Sequence, residues 1–286
     1  MRALPAVLVF LGVTTLLSAC NQSVYYPLQP TVPMVTQARQ AEITAGIDQN
    51  QSAYASATGI PVPHLLLTAT ASKSLFGPAE IRPRRNNERR QQQWEAGLGS
   101  YITLKQAYTV GLLAGYGQGE SAYQEFVPDL SFSMAGGQAD EYRRVDARFS
   151  RYYAQAYAVV VPVSEGAVQF NLGAAYRLSW VRYAQFEATT FYYQPSGAAS
   201  GQGPTGYAVP RTYWHSFSVQ ASAQCTRWPA MRLQVGLGGA QPQSGKAESA
   251  DGGYRIPYQT ERSRHGQWAQ AHVGLVLQPH YFFRKP

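Results

Sequence analysis

The residues able to do chemistry are few, and their spacing argues against a catalytic centre. Five histidines are scattered along the chain, and no pair has the spacing of a metal-binding motif such as HExxH. No metal ligand set, cofactor site or catalytic residue is therefore assigned. His215 and Ser216 could serve as base and nucleophile, but adjacent residues of a strand point to opposite faces, so these two cannot meet. Only two cysteines occur, Cys20 and Cys225, and if Cys20 is modified no disulfide can form.

Charge is the other chemical resource. The net charge is +8, and Arg82, Arg84, Arg85, Arg89 and Arg90 crowd one polar stretch, a contact surface for anions through charge-assisted bonds. Glu42, Glu95, Arg177 and Arg232 stand alone within otherwise apolar and small-residue alternation. Such isolated charges must pair if they face a narrow interior, because an unpaired ion there is costly.

The elements that position these groups are strands. Trp94, Ala96, Leu98, Ile102 and Leu104 alternate with Gln93, Glu95, Gly97, Gly99, Tyr101 and Thr103, a period of two. After a tight turn at Lys105-Gln106, Tyr108, Val110, Leu112, Ala114 and Tyr116 alternate with Thr109, Gly111, Leu113, Gly115 and Gly117. The pair is a long hairpin with one oily face ending in aromatics and one face of small and polar residues. A soluble core would place the bulk inward, whereas a transmembrane barrel turns its apolar face to lipid.

The same pattern recurs at 41–47, 65–72, 168–180, 213–224, 231–238 and 269–277, with Gln169 and Gln234 among the inward positions. The stretch 141–161 fits poorly, because Arg151 and Gln155 share a face with Phe149, Tyr153 and Tyr157, and its upper part is expected to leave the bilayer. Composition agrees: 26 Gly, 20 Tyr and 14% charged residues, against about 25% charged in ordinary globular domains. After the first twenty residues no run approaches the roughly 20 apolar residues of a spanning helix. Strands that cross a bilayer must close into a barrel.

Long polar connections near 77–90, 120–140, 193–210 and 243–261 alternate with tight turns near 58–63, 104–107, 162–166 and 226–230. All long connections thus fall on one side, as in bacterial outer-membrane barrels. Counting a hairpin at Asp48 gives an all-β, up-and-down antiparallel transmembrane barrel of about ten strands over 39–286, or eight if that first hairpin is not embedded. Residues 1–19 read as an export signal, with Met1-Arg2 basic and Leu4 to Leu17 apolar. Residues 20–38, with Pro27, Pro30 and Pro33, read as a tether from lipid to barrel wall. That tether places the chain ends on the short-turn side.

At Leu17-Ser18-Ala19-Cys20 the chain resembles the lipobox of bacterial lipoproteins. The resemblance implies cleavage before Cys20 and fatty acylation of it, a palmitate-type anchor, and Asn21 points to outer-membrane sorting. Over 39–286 the alternation resembles the outer-membrane β-barrel proteins of Gram-negative bacteria, and the end of the chain, with Gly274, Val276, Tyr281, Phe282 and Phe283, is similar to their terminal assembly signal, although it closes on Arg284-Lys285-Pro286. The resemblance implies outer-membrane lipid as the surrounding partner, with lipopolysaccharide phosphates available to the arginine-rich loop. Nucleic acid is excluded after export, and no protein partner is indicated. The expected role is structural or surface-interactive, with a largely filled lumen; a narrow passive pore is the alternative. The third reading is a hydrolase of the deacylase or omptin type, since His215-Ser216 resembles the residue types of lipid A deacylases.

Overall fold

In a computed structural model, residues 27–35, 37–48, 51–75, 88–104, 107–127, 140–161, 167–193, 199–201, 205–206, 211–243 and 268–282 are described. The chain folds into β1 (Ala41–Asp48), β2 (Ser52–Gly59), β3 (Leu66–Ser74), β4 (Glu88–Leu104), β5 (Tyr108–Val127), β6 (Asp140–Val160), β7 (Val168–Tyr193), β8 (Ala199–Gly201), β9 (Thr205–Gly206), β10 (Thr212–Cys225), β11 (Met231–Gln243) and β12 (Trp268–Leu277). Each of β1 to β7 pairs antiparallel with the next, β7 pairs with β10, and β10, β11 and β12 follow in order. β12 then pairs with β1, Ile43 opposite Leu277 and Asp48 opposite His272. Ten strands therefore close the wall, and β8 and β9 are short additions alongside the end of β7. Closure matters because a lipid-facing sheet edge would leave backbone groups unpaired.

The Asp48 hairpin is one of the ten: Ile47 lies opposite Ala53, and the Asp48 carboxylate accepts the Ser52 N–H at 2.9 Å. Apart from β6, the outer face carries the oily rows of the wall strands, with Leu98, Leu112 and Phe170 more than 60% exposed. Such residues would be out of place against water and suit a lipid surround. Tyr116, Tyr152, Trp180 and Tyr213 are successive register partners across β5, β6, β7 and β10, and Trp94 meets Tyr116 edge-on at 6.1 Å. Tyr108 and Trp228 stand exposed toward the opposite end. The eight residue steps from Tyr108 to Tyr116, at ~3.4 Å each and tilted ~40°, rise about 20 Å, close to the height of an apolar bilayer band.

The wall is lopsided. β1, β2, β3 and β12 have 8 to 10 residues, at the lower limit of about 9–11 for a tilted spanning strand, whereas β4 to β7 have 17, 20, 21 and 26. The excess lies on the long-connection side and forms a crest, with a bulge where Arg148 faces Gln185 but Phe149 faces Tyr183. Glu88 already begins β4, so Arg89 and Arg90 belong to a strand rather than to the loop expected there. Pairing with Tyr123 and Ala122 of β5 draws them in. Arg82, Arg84 and Arg85 lie outside the described residues.

The poor fit of β6 has a physical reason, and one further expectation is corrected. On β6, Phe149, Arg151, Tyr153, Gln155 and Tyr157 are all buried in the lumen, and the alanines and Tyr152 face outward. Their bulk fits because β5 offers glycines directly opposite, Gly111 to Tyr157, Gly115 to Tyr153 and Gly119 to Phe149. A Cβ on Gly115 would collide with the Tyr153 ring, so aromatic and glycine fill one volume between them. The terminal aromatics are not strand residues. β12 ends at Leu277, and Pro279, which has no N–H to offer a ladder, opens a 3-10 turn through Tyr281. Phe283 is outside the described residues.

Candidate functional site: an occupied lumen

The interior is filled from two sources, wall side chains and the chain's own N-terminal segment. Residues expected as an outside tether lie inside: Leu28, Pro30, Val32, Met34 and Val35 are buried within the barrel. Prolines exclude this stretch from a sheet ladder, since they donate nothing, but their carbonyls still accept. The Pro30 oxygen receives Ser218 Oγ at 2.8 Å and Gln220 Nε2 at 2.9 Å, and the Pro27 oxygen receives Gln270 Nε2 at 3.0 Å. Thr31 O accepts from Gln155 Nε2 at 2.7 Å, the Val32 N–H donates to Gln220 Oε1 at 3.2 Å, and the Met34 N–H to Glu42 Oε1 at 3.2 Å. Wall amides thus take the place of a strand partner for a backbone that has none, as buried peptide groups require.

The filling is layered. At the short-turn mouth Val32, Met34 and Val35 pack with Ile60, Leu66, Tyr101, Leu113, Tyr157 and Val159 in a cluster of buried apolar side chains. A Cβ on Gly173 would strike Val32, so that glycine makes the room the segment occupies. Higher up the lining turns to hydroxyls and amides around a cavity of about 50 Å³, bordered by Gln29, Thr44, Tyr54, Ser56, Gln93 and His272. That is space for a few water molecules and no larger solute.

Charges complete the lumen at two centres. The Glu95 carboxylate lies 2.7 Å from Arg151 Nη2 and 3.0 Å from Arg177 Nη1, all three residues within 3% of full burial. Arg177 also donates through Nε and Nη2 to Gln155 Oε1 at 2.9 and 2.7 Å, and its guanidinium stacks 4.3 Å from the centre of the Tyr153 ring. Arg151 donates to Gln93 Oε1 at 3.0 Å. Separately, Arg232 Nη2 meets Glu42 Oε2 at 2.7 Å, and Glu42 in turn holds the segment through Met34. So of the four charges singled out in the sequence, Glu95 pairs with Arg177 and Glu42 with Arg232. Arg151, which lies in the poorly fitting stretch 141–161 and was not among the four, is the third member of the first centre.

Among the described residues, the remaining chemical groups lie apart from these charge centres. Ser216 is buried in the lumen, while His215 faces outward and its Nδ1 lies 2.6 Å from the Tyr176 hydroxyl. His272 shares the small cavity with Asp48 and Ser52, but its Nδ1 engages Gln29 of the N-terminal segment and its ring stands edge-on to Tyr54. Cys225 is a free, exposed thiol at the end of β10; Cys20 lies outside the described residues. Among the described residues no three His, Cys, Asp or Glu side chains are gathered as a metal site would need. What the arrangement can do is close a barrel.

This fold and interior define the class, a transmembrane β-barrel with an occupied lumen. No protein-family model and no curated protein sequence matches the chain. Among solved structures it is similar to the outer membrane protease OmpT of Escherichia coli, with 11% identity over 84% of this chain and 93% of the other at a TM-score of 0.40. LpxR of Salmonella typhimurium aligns at 8% identity over 83% and 99% with a TM-score of 0.35. The monoaromatic hydrocarbon channel CymD aligns at 8% over 85% and 88% with a score of 0.30. These likenesses are of barrel form, and none carries an activity to this chain.

Proposed function

We propose that this chain is a lipid-anchored outer-membrane barrel whose role is structural or surface-interactive, and that it does not conduct solutes in its resting form. The observation that supports this most is the passage of residues 27–35 through the lumen, sealed by an apolar cluster at one mouth and bonded to wall amides above it. A passive pore needs a continuous water path, and an apolar constriction filled by Val32, Met34 and Val35 resists wetting. A hydrolase needs a nucleophile and base in reach of each other, a pairing that His215 and Ser216 cannot make from opposite faces of β10. The tall crest of β4 to β7 offers the area on which an interaction role would rest. Liposome swelling with small sugars tests the reading: vesicles carrying the protein should swell no faster than empty ones, and rapid swelling would favour the pore.

A further inference from the structure

The N-terminal segment has a direction. Met34, Val32 and Pro30 are met by Ser222, Gln220 and Ser218 of β10 in turn, two residues of segment for two of wall. It is therefore extended and runs alongside β10 in the same sense. At its lower end a tight turn, with Arg39 at φ 65° and its N–H bonded to Ile60 O at 2.6 Å, reverses the chain into β1 at the short-turn mouth. At its upper end Gln29 reaches His272 and Pro27 reaches Gln270. His272 lies opposite Asp48, where β1 ends, so Pro27 is already at the low rim on the long-connection side.

We infer that the N-terminal segment threads the whole barrel and delivers its preceding residues to the long-connection mouth, so that an acyl chain on Cys20 lies in the external leaflet. The anchoring half rests on the lipid-anchor reading above. Short turns face the periplasm and long loops the exterior in barrels of this kind. From Val35 to Pro27 the segment follows the tilt of β10 and climbs about 20 Å, eight steps at ~3.3 Å tilted ~40°. The seven residue steps from Pro27 back to Cys20 span at most about 25 Å, so a return inside the barrel to the short-turn side would take most of them. It would also have to pass through a lumen already filled by Val32, Met34, Leu113 and Tyr157. From the rim, the same seven steps reach readily over the low wall of β1 to β3 to the lipid beside it. The partner is thus a lipid surface, met on the side opposite to the one a simple tether would use.

The test adds one thiol to the full-length protein, Ser23→Cys in a Cys225→Ser background, subtracts the labelling of the Cys225→Ser parent, which keeps Cys20, and treats intact cells with a membrane-impermeant maleimide. Thr226→Cys, in the turn after β10, is the short-turn control, and heat-modifiable gel mobility confirms that each barrel has folded. Ser23→Cys should label to the same extent before and after lysis, and Thr226→Cys only after it. Labelling of Ser23→Cys only after lysis, or in neither case without denaturation, would overturn the threading. Incorporation of radioactive fatty acid, compared with its Cys20→Ser counterpart, is read separately. External labelling without acylation would discard the external anchor while leaving the threaded path, and so separates failure of the lipid reading from failure of the topology.

Discussion

Gln220 holds the Pro30 carbonyl at 2.9 Å through its amide nitrogen, although 190 residues separate the two in sequence. The same side chain accepts from the Val32 N–H and from Gln234 Nε2 at 2.6 Å. One buried amide thus ties the threaded segment to β10 and β10 to β11. Replacing Gln220 with Ala removes the partner of the Val32 N–H, at about 1–3 kcal/mol when left unsatisfied, and one of the two donors to the Pro30 oxygen, which keeps Ser218 Oγ. The expected outcome is a lower midpoint for heat or urea unfolding in detergent, with the barrel still formed. An unchanged midpoint would mean that the segment is held elsewhere.

The first charge centre predicts a non-additive series. Glu95→Ala removes the carboxylate that the buried Arg151 and Arg177 share, a loss of about 3–5 kcal/mol. Removing all three charges together takes away the repulsion as well as the attraction. The triple Ala variant should therefore be destabilised by less than the sum of the three single variants, measured by urea unfolding in micelles. Simple additivity would show that the three residues do not act as one unit.

The wall predicts alternating access to lipid. Single cysteines at Leu112, Leu172 or Val235, which are exposed on the outer face, should react with lipid-soluble probes, and those replacing the buried lumen serines Ser56, Ser179 or Ser222 should not. Equal labelling of both sets would contradict the assigned faces. Leu172→Arg should cost insertion about 2–4 kcal/mol if it lies near the midplane, read as a shift in the folding equilibrium into vesicles.

Where alternation was clean, strand, face and closure could be read from residues alone, because lipid outside and a small interior impose opposite demands on successive positions. The Asp48 hairpin settled the strand count, and an Asp whose carboxylate caps the turn is a local signal. β6 failed that reading since lumen space depends on the neighbouring strand: Tyr153 and Tyr157 are inward because Gly115 and Gly111 are opposite, a relation invisible within 141–161. The occupied lumen left a trace that alternation alone did not decode. Leu66, Tyr101 and Leu113 break the small and polar face, and all three sit at the short-turn end, where the segment packs. The segment itself gave no periodic sign, since proline carbonyls bonded to distant glutamines follow no local spacing.

The central claim is that the chain's own residues 27–35 close its lumen. Single-channel recording of the purified full-length protein in planar bilayers, beside a variant lacking only residues 27–35, tests it most directly. The intact protein should show little or no stable conductance and the shortened one discrete openings, with the charge centre around Glu95 still narrowing the path. Large, steady conductance from the intact protein would contradict the account.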